Sequence, residues 1–358
     1  MSHYDISIIL PVYNVGPFLE RCLDSLLEQN CQKIEIIAIN DGSTDNSLEI
    51  LERYATRFTS LHIVSQENRG LAAARNTALS LAKGKYIYCV DSDDYLAPKC
   101  VATIIHEMDR NQLDVLFFAT HLECKDNRVY LQAVSSYYQR PRSVINKTLN
   151  AQTFFNTCIS ERVKTGQGYS VVVWGYAWRR EHYTNLRFHT RYYEDEYFTT
   201  ELLLSRPKAK VRCIADRLYH HLLRSGSITS STDQVKRTLA ILDTYRLLLP
   251  TAGEVTDKKT QQCLLHYVDM LYLDAFTHKL QHADKVFSAQ KMIYFLAASL
   301  HDLYIKSTTE NGLVIMLHIV EKIAQDADLA DKKEVRDTIA RIRLAVDQKR
   351  ELTMLTPR

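Results

Sequence analysis

Glycine and proline are scarce in this 358-residue chain, with ten and seven residues against typical shares of about 7% and 5%. The shortage disfavours a turn-dense β-sandwich and favours long helices. An excess of one charge is also lacking. Lys and Arg number 45 against 42 Asp and Glu, a formal net charge of +3, which excludes a dedicated electrostatic binder of nucleic acid. The eight cysteines, Cys22, Cys31, Cys89, Cys100, Cys124, Cys158, Cys213 and Cys263, form no CxxC pair, so a zinc ribbon is unsupported. No run approaches the ~18 consecutive apolar residues of a membrane span; the nearest stretch is Tyr169 to Trp178. Met1 to Asp5 show no basic segment leading into an apolar one, which gives the expectation of a cytoplasmic protein with reduced thiols. No GxGxxG or GxxxxGK[ST] follows any strand-like run, so glycine-loop routes to phosphate binding are unsupported.

What is present is ordinary globular composition, 46% hydrophobic and 24% charged, in a length that suits two domains. From Asp5 to about Thr120 short apolar runs alternate with amphipathic stretches: DISIIL, PFLERCLDSLLEQ, KIEIIAI, NSLEILERYATRF, LHIVS, LAAARNTALSLA, KYIYCV and, after another helix, LDVLFFA. This β-α-β-α-β-α-β-α-β pattern predicts an α/β fold with a mostly parallel sheet flanked by helices. From 121 to 230 the periodicity is mixed, with a hairpin expected at Lys125-Asp126-Asn127 and a helix from near Ala151. From 231 to 358 there are only Gly253, Gly312, Pro250 and Pro357, and helical stripes recur, among them Leu239, Leu242, Leu249 and Leu264, Val268, Leu271. The expected division is therefore 1–230, with halves of about 1–120 and 121–230, and a helical C-terminal domain over 231–358.

In a parallel sheet, ligands lie at the carboxyl ends of the strands. Here those ends carry Pro11-Val12-Tyr13-Asn14, Asn40 to Asp45, Gln66 to Gly70, and Asp91-Ser92-Asp93-Asp94. Several carboxylates in one turn call for a divalent cation as counter-charge, or else form a solvated turn capping the next helix. Asp41, Ser43, Asp45, Ser47 and Glu52 fall at EF-hand positions, but Asn46 stands where glycine belongs and a strand precedes the loop, so calcium is not expected there.

Taken together, SIILPVYN, NDGSTD, ENRGLAAARN and DSDD, in this order at successive strand ends, resemble the nucleotide-sugar-dependent inverting glycosyltransferases of the GT-A fold, in the large family 2 group. The resemblance covers about residues 5–120. It implies that Pro11, Tyr13 and Asp41 hold base and ribose, and that Asn14, Asn68, Arg75, Asn76, Asp91 and Ser92 line the donor nucleotide site. Asp91 and Asp93 match a DxD that meets a divalent metal, Mn2+ or Mg2+. Further along, Asp195 matches the general base, with Glu194 as the alternative. Trp174 and Trp178 match an acceptor-side wall, core packing being the other reading for each. Arg224 and Ser227 match a late loop on the diphosphate, where Leu222 occupies an earlier, usually basic position. The implied activity is inverting transfer of one sugar from a nucleoside diphosphate sugar, UDP-linked, to a hydroxyl of a saccharide or lipid-linked saccharide, in bacterial surface polysaccharide assembly.

Two other classes compete. A sugar-phosphate nucleotidyltransferase would want a Gly-rich loop where Pro11-Val12-Tyr13-Asn14 stands; a non-catalytic nucleotide-binding module would have no use for Asp91, Asp93 and Asp195 together. Finally, Lys332 to Arg350 carries Val335, Ile339, Ile342 and Val346 at helical spacing among seven basic and three acidic side chains. Such a helix either lies peripherally on the anionic inner-membrane face or packs its stripe in the helical domain. Nothing in the sequence fixes the oligomeric state.

Overall fold

The computed structural model describes residues 4–29, 31, 33–124, 136–165, 168–189, 193–223, 251–277 and 330–355, with single positions among 241–250 and 314–325. The chain divides into two compact units, Met1–Ser230 and Ser231–Arg358. The expected hairpin at Lys125 to Asn127, the stripe Leu239, Leu242, Leu249, and Arg224 and Ser227 lie outside the described residues.

The first unit runs β1 (Ile6–Val12), α1 (Gly16–Leu27), β2 (Ile34–Asn40), α2 (Ser47–Ala55), β3 (Leu61–Ser65), α3 (Leu71–Leu81), β4 (Tyr86–Cys89), β5 (Tyr95–Leu96), α4 (Cys100–Arg110), β6 (Val115–Glu123), β7 (Lys147–Asn150), α5 (Ala151–Thr165), β8 (Tyr176–Arg179), α6 (Glu194–Leu204) and β9 (Lys210–Leu222). The strands form one nine-stranded sheet in the order β3-β2-β1-β4-β8-β6-β9-β5, with β7 on β9. Every residue of β1 and β2 is buried, as expected of strands covered on both faces. Helix α1 supplies part of that cover through Leu19, Cys22, Leu23 and Leu26, which share one stripe.

The parallel arrangement holds from β3 through β4. Beyond β4 the sheet departs from the expected series. LDVLFFA does not follow β4; the four-residue β8 inserts between them, antiparallel to both β4 and β6. Strand β9 then runs parallel to β6 and antiparallel to β5 and β7. Local periodicity carries no trace of this, because β8 pairs Ile87 with Trp178 across a long sequence interval.

At the amino ends of the strands, the buried Glu35 carboxylate accepts from Ser7 Oγ at 2.5 Å, Lys83 N at 2.6 Å and Gly84 N at 3.0 Å. It thereby ties β1, β2 and the entry to β4, leaving the opposite, carboxyl ends for chemistry. Gly84 is required there, since a Cβ would lie 2.4 Å from Ser7 N.

In the second unit α7 (Lys258–Thr277) and α8 (Lys333–Leu355) are the described long helices. Leu264, Val268 and Leu271 are buried, as are Val335, Ile342 and Val346. With Ile339 half-buried beside them, most of the last helix's apolar stripe is covered, which favours the packing alternative over a membrane-facing surface. Among the described residues no helix is long and apolar enough to cross a membrane.

Candidate active site

The loops after β1 and β2 brace one another. Asn14 takes a left-handed conformation, φ 50°, one that Asn tolerates better than most residues. Its Oδ1 accepts from Thr44 N at 2.7 Å while its own N–H donates to Ser43 Oγ at 3.2 Å. Across the same gap Asp45 Oδ2 accepts from Gly16 N at 2.9 Å and Ser47 Oγ from Val15 N at 3.0 Å, satisfying donors at the start of α1 that no helical carbonyl can reach. Asp45 thus serves a helix terminus rather than a calcium loop, and Asn14, expected as a donor contact, is engaged in holding the loop. Tyr13 stands 48% exposed beside it, so core packing is not its role. Pro11 is buried in β1.

Asp41 is almost fully buried and organises the β3–α3 connection. Its Oδ1 accepts from Gln66 Nε2 at 2.7 Å and Arg69 N at 3.0 Å, and its Oδ2 from Gly70 N at 2.8 Å. A carboxylate offers about four acceptor positions, which leaves room for one further N–H such as a base imide. Asn68 packs against Gly42, whose φ of +73° and lack of a Cβ allow Asn68 N to approach within 2.9 Å of where a Cβ would stand.

Arg75 on α3 is the centre of the arrangement. Only 1% of its side chain is exposed, and its guanidinium meets three carboxylates: Asp91 Oδ1 at 2.9 Å, Glu194 Oε1 at 2.6 Å and Asp195 Oδ1 at 3.1 Å. The neighbouring Asn76 gives both ends of its amide to the backbone of Phe188, donating to its O at 2.7 Å and accepting from its N at 2.9 Å. These contacts correct two expectations. Arg75 is buried and its two terminal nitrogens are taken by carboxylates, and half-buried Asn76 spends its amide on Phe188, so in this structure both side chains are directed to the protein.

The acidic turn after β4 divides its labour. Asp91 faces Arg75, and its N–H donates to Tyr219 Oη at 3.1 Å. Asp94, completely buried, accepts from Tyr219 Oη at 2.8 Å, His221 Nδ1 at 2.8 Å and Leu222 N at 2.8 Å. Burial lowers the pKa of His221, but the Asp94 carboxylate outweighs it and the net shift is upward. Ser92 is buried and Asp93 half-buried between them. The acidic turn is thus clamped to the end of β9, whose next residues include Arg224 and Ser227. Nothing in the spacing of Asp94, Tyr219 and His221 disclosed that clamp; the sole hint was a carboxylate one residue beyond the DxD.

Glu194 and Asp195 open α6, behind Tyr193 in a left-handed conformation. Acidic side chains in a first turn favour the helix dipole, yet these two turn to Arg75. The second Asp195 oxygen, Oδ2, accepts from Val173 N at 3.3 Å. Burial raises the Asp195 pKa well above the usual carboxylate value; Glu194 and Asp91 add to the rise and Arg75 opposes it. Arg75 stays charged, its three carboxylate neighbours overcoming the cost of burial.

Trp178 is a core residue of β8, edge-on to Phe198 and tilted against Tyr176. Trp174 is also buried, stacked on Tyr219 at 4.6 Å and on Tyr138 at 5.6 Å. Neither offers a ring face to an acceptor: Trp178 is buried in the inserted strand β8, and Trp174, in the turn just before it, is buried against Tyr219 and Tyr138.

For a divalent metal, the side chains at hand are the oxygens of Asp91 and Asp93. Among the described residues no three His, Cys, Asp or Glu side chains form a metal-binding group. Mg2+ and Mn2+ suit oxygen-only sets of one or two carboxylates completed by substrate phosphates, so the residues present fit an ion that shares its coordination with a diphosphate.

An α/β unit with a four-stranded parallel region, carboxylates at the strand ends and an acidic pair brought in by a later helix defines the GT-A class of sugar transferases. Residues 7–164 match the family described as Glycosyl transferase family 2, and the chain belongs to that family. It is 35% identical to the uncharacterized glycosyltransferase EpsJ of Bacillus subtilis over 230 residues, covering 63% of this chain and 62% of that one. With glycosyltransferase GlyG of Streptococcus pneumoniae it is 30% identical over 271 residues, covering 75% and 83%. The match to GlyA of the same organism spans 31% of that protein's length. Among solved structures, residues 1–349 of S. aureus TarS, crystallised with UDP-GlcNAc, share the fold at a TM-score of 0.65 and 19% identity, covering 96% of this chain and 91% of that one.

Proposed function

We propose that the chain transfers a single sugar from a nucleoside diphosphate sugar, UDP-linked, to a hydroxyl of a saccharide acceptor with inversion. The observation that carries this is the convergence of Glu194 and Asp195 on the acidic turn at Asp91 through one buried arginine. Inversion in one displacement needs a carboxylate to take the acceptor proton on the face opposite the leaving diphosphate. Asp195 is that base. Burial and its acidic neighbours make it a better proton acceptor than an ordinary carboxylate. Tyr13, exposed at the mouth of β1, and the remaining acceptor position of Asp41 receive the nucleoside. Asp91 and Asp93 hold the divalent ion, which when bound offsets charge on the diphosphate. Arg224 and Ser227 are proposed to meet the phosphates.

The complex of TarS with UDP-GlcNAc supports the UDP assignment by likeness of fold. The acceptor proposed is a saccharide, lipid-linked, of a bacterial surface polysaccharide, met at the cytoplasmic side of the membrane by a peripheral protein. Residues 1–230 form the catalytic domain and 231–358 the helical one. A panel of sugar nucleotides tested for slow donor hydrolysis with and without manganese checks the reading: hydrolysis of a UDP-sugar is expected. Pyrophosphorolysis in its place would mark a nucleotidyltransferase, and absence of both reactions with intact UDP binding would mark a binding module.

A further inference from the structure

Arg75 draws together three carboxylates that the chain supplies from two separate places, the turn after β4 and the first turn of α6. One guanidinium nitrogen, Nη2, takes Asp91, and the other, Nη1, takes both Glu194 and Asp195. The Phe188 ring lies 5.2 Å from the guanidinium carbon, and Phe188 is itself pinned by Asn76. The remaining Nε is buried without a hydrogen-bond partner. A planar fork can serve several carboxylates at once, whereas an ammonium is a point charge. Asp195 is consequently held at both oxygens, Oδ1 by Arg75 and Oδ2 by Val173 N.

We propose that Arg75 is a positioning residue that joins the acidic turn to the Glu194–Asp195 pair and fixes the base without touching the donor. This rests on Asp195 being the base. Without the guanidinium, three carboxylates would face one another in a water-poor site, and Asp195 would swing off Val173 N. Misplacement of a reacting group by about 1 Å costs on the order of 100-fold in rate. Donor affinity, resting chiefly on Tyr13, Asp41 and Asp93, for none of which Arg75 is a partner, would be largely kept.

The test uses the full chain with Arg75→Lys, Arg75→Met and Arg75→Ala, reading UDP affinity by calorimetry with manganese and kcat and KM by donor hydrolysis. Expected are a kcat loss of roughly 30- to 100-fold for Arg75→Lys, UDP affinity within about threefold of wild type, and partial recovery of Arg75→Ala turnover on adding millimolar guanidinium, to which the wild type does not respond. A UDP affinity that falls in step with kcat would make Arg75 a donor contact and overturn the proposal, as would unchanged turnover in Arg75→Ala. A thermal-unfolding cycle separates this from the functional reading, because it needs no turnover. Arg75→Met should lower Tm, and Asp195→Asn added to it should restore part of the loss by removing an uncompensated carboxylate. A positive cycle in a chain that hydrolyses no sugar nucleotide would leave the linkage standing and sink the transferase reading. A double variant no more stable than Arg75→Met sinks the linkage.

Discussion

As the proposed base, Asp195 is subject to two opposed demands. A base should hold a proton readily, and its raised pKa, caused by burial and then by Glu194 and Asp91 against the pull of Arg75, provides that. The same shift costs stability. Because the native state binds the proton more tightly than the unfolded chain, whose Asp titrates near ~3.9, folding free energy falls as pH rises from that value through the raised one. Asp195→Asn is therefore expected to be at least as stable as wild type at pH 8, with the difference narrowing as pH drops. Its turnover should fall by about 100-fold or more, with UDP binding retained. Thermal unfolding at several pH values and donor hydrolysis check both halves; loss of stability at pH 8, or retention of a tenth of the turnover, would contradict them. In the wild type, turnover should climb with pH to a limb lying above the ordinary carboxylate range. Asp93→Ala should remove the stimulation of donor hydrolysis by manganese, as EDTA does, and equal wild-type UDP affinity with and without metal would refute a metal at Asp93.

At the scale of elements, the first four strands and their helices were legible because each carries its own period: β1 and β2 as continuous apolar runs, α1 as a stripe at Leu19, Cys22, Leu23 and Leu26. The strand-end motifs were legible as well, since a parallel sheet brings its carboxyl ends to one side. Illegible was everything depending on partners distant in sequence. The four residues of β8 are too short for a periodic signal, yet they split β4 from β6 and carry Trp178 into the core. Asn76 illustrates the consequence for individual roles: an asparagine beside a motif arginine reads as a ligand contact, while its amide fastens the segment at Phe188 to α3. Replacing it with Ala leaves two backbone groups of Phe188 without that partner, at a cost of about 1–3 kcal/mol, and loosens the ring over Arg75. A Tm lower by roughly 2–8 °C with UDP affinity unchanged is expected; a selective loss of UDP affinity without destabilisation would return Asn76 to the nucleotide site.

At the scale of the whole molecule, the basic helix α8 bears on how the lipid-linked acceptor proposed above would be reached. Val335, Ile342 and Val346 are buried, so as they stand they do not face a bilayer. Among the described residues of α8, what remains outward is mostly charge, with Leu344 as the large exposed apolar side chain at 60%. An attraction resting on charge is worth about 1 kcal/mol per basic residue near an anionic surface and is screened within a Debye length. Ile342→Asp is therefore expected to lower Tm, because it places an unpaired carboxylate in an apolar interior. Exchange of Arg336, Arg341 and Lys333 for Gln should leave Tm within a few degrees and weaken sedimentation with anionic vesicles. The difference should be largest at low salt and vanish at moderate salt. Vesicle binding that survives both the exchange and moderate salt would place the membrane contact elsewhere on the protein, and loss of binding only on mutating Ile342 would show that the stripe leaves its packed position to insert.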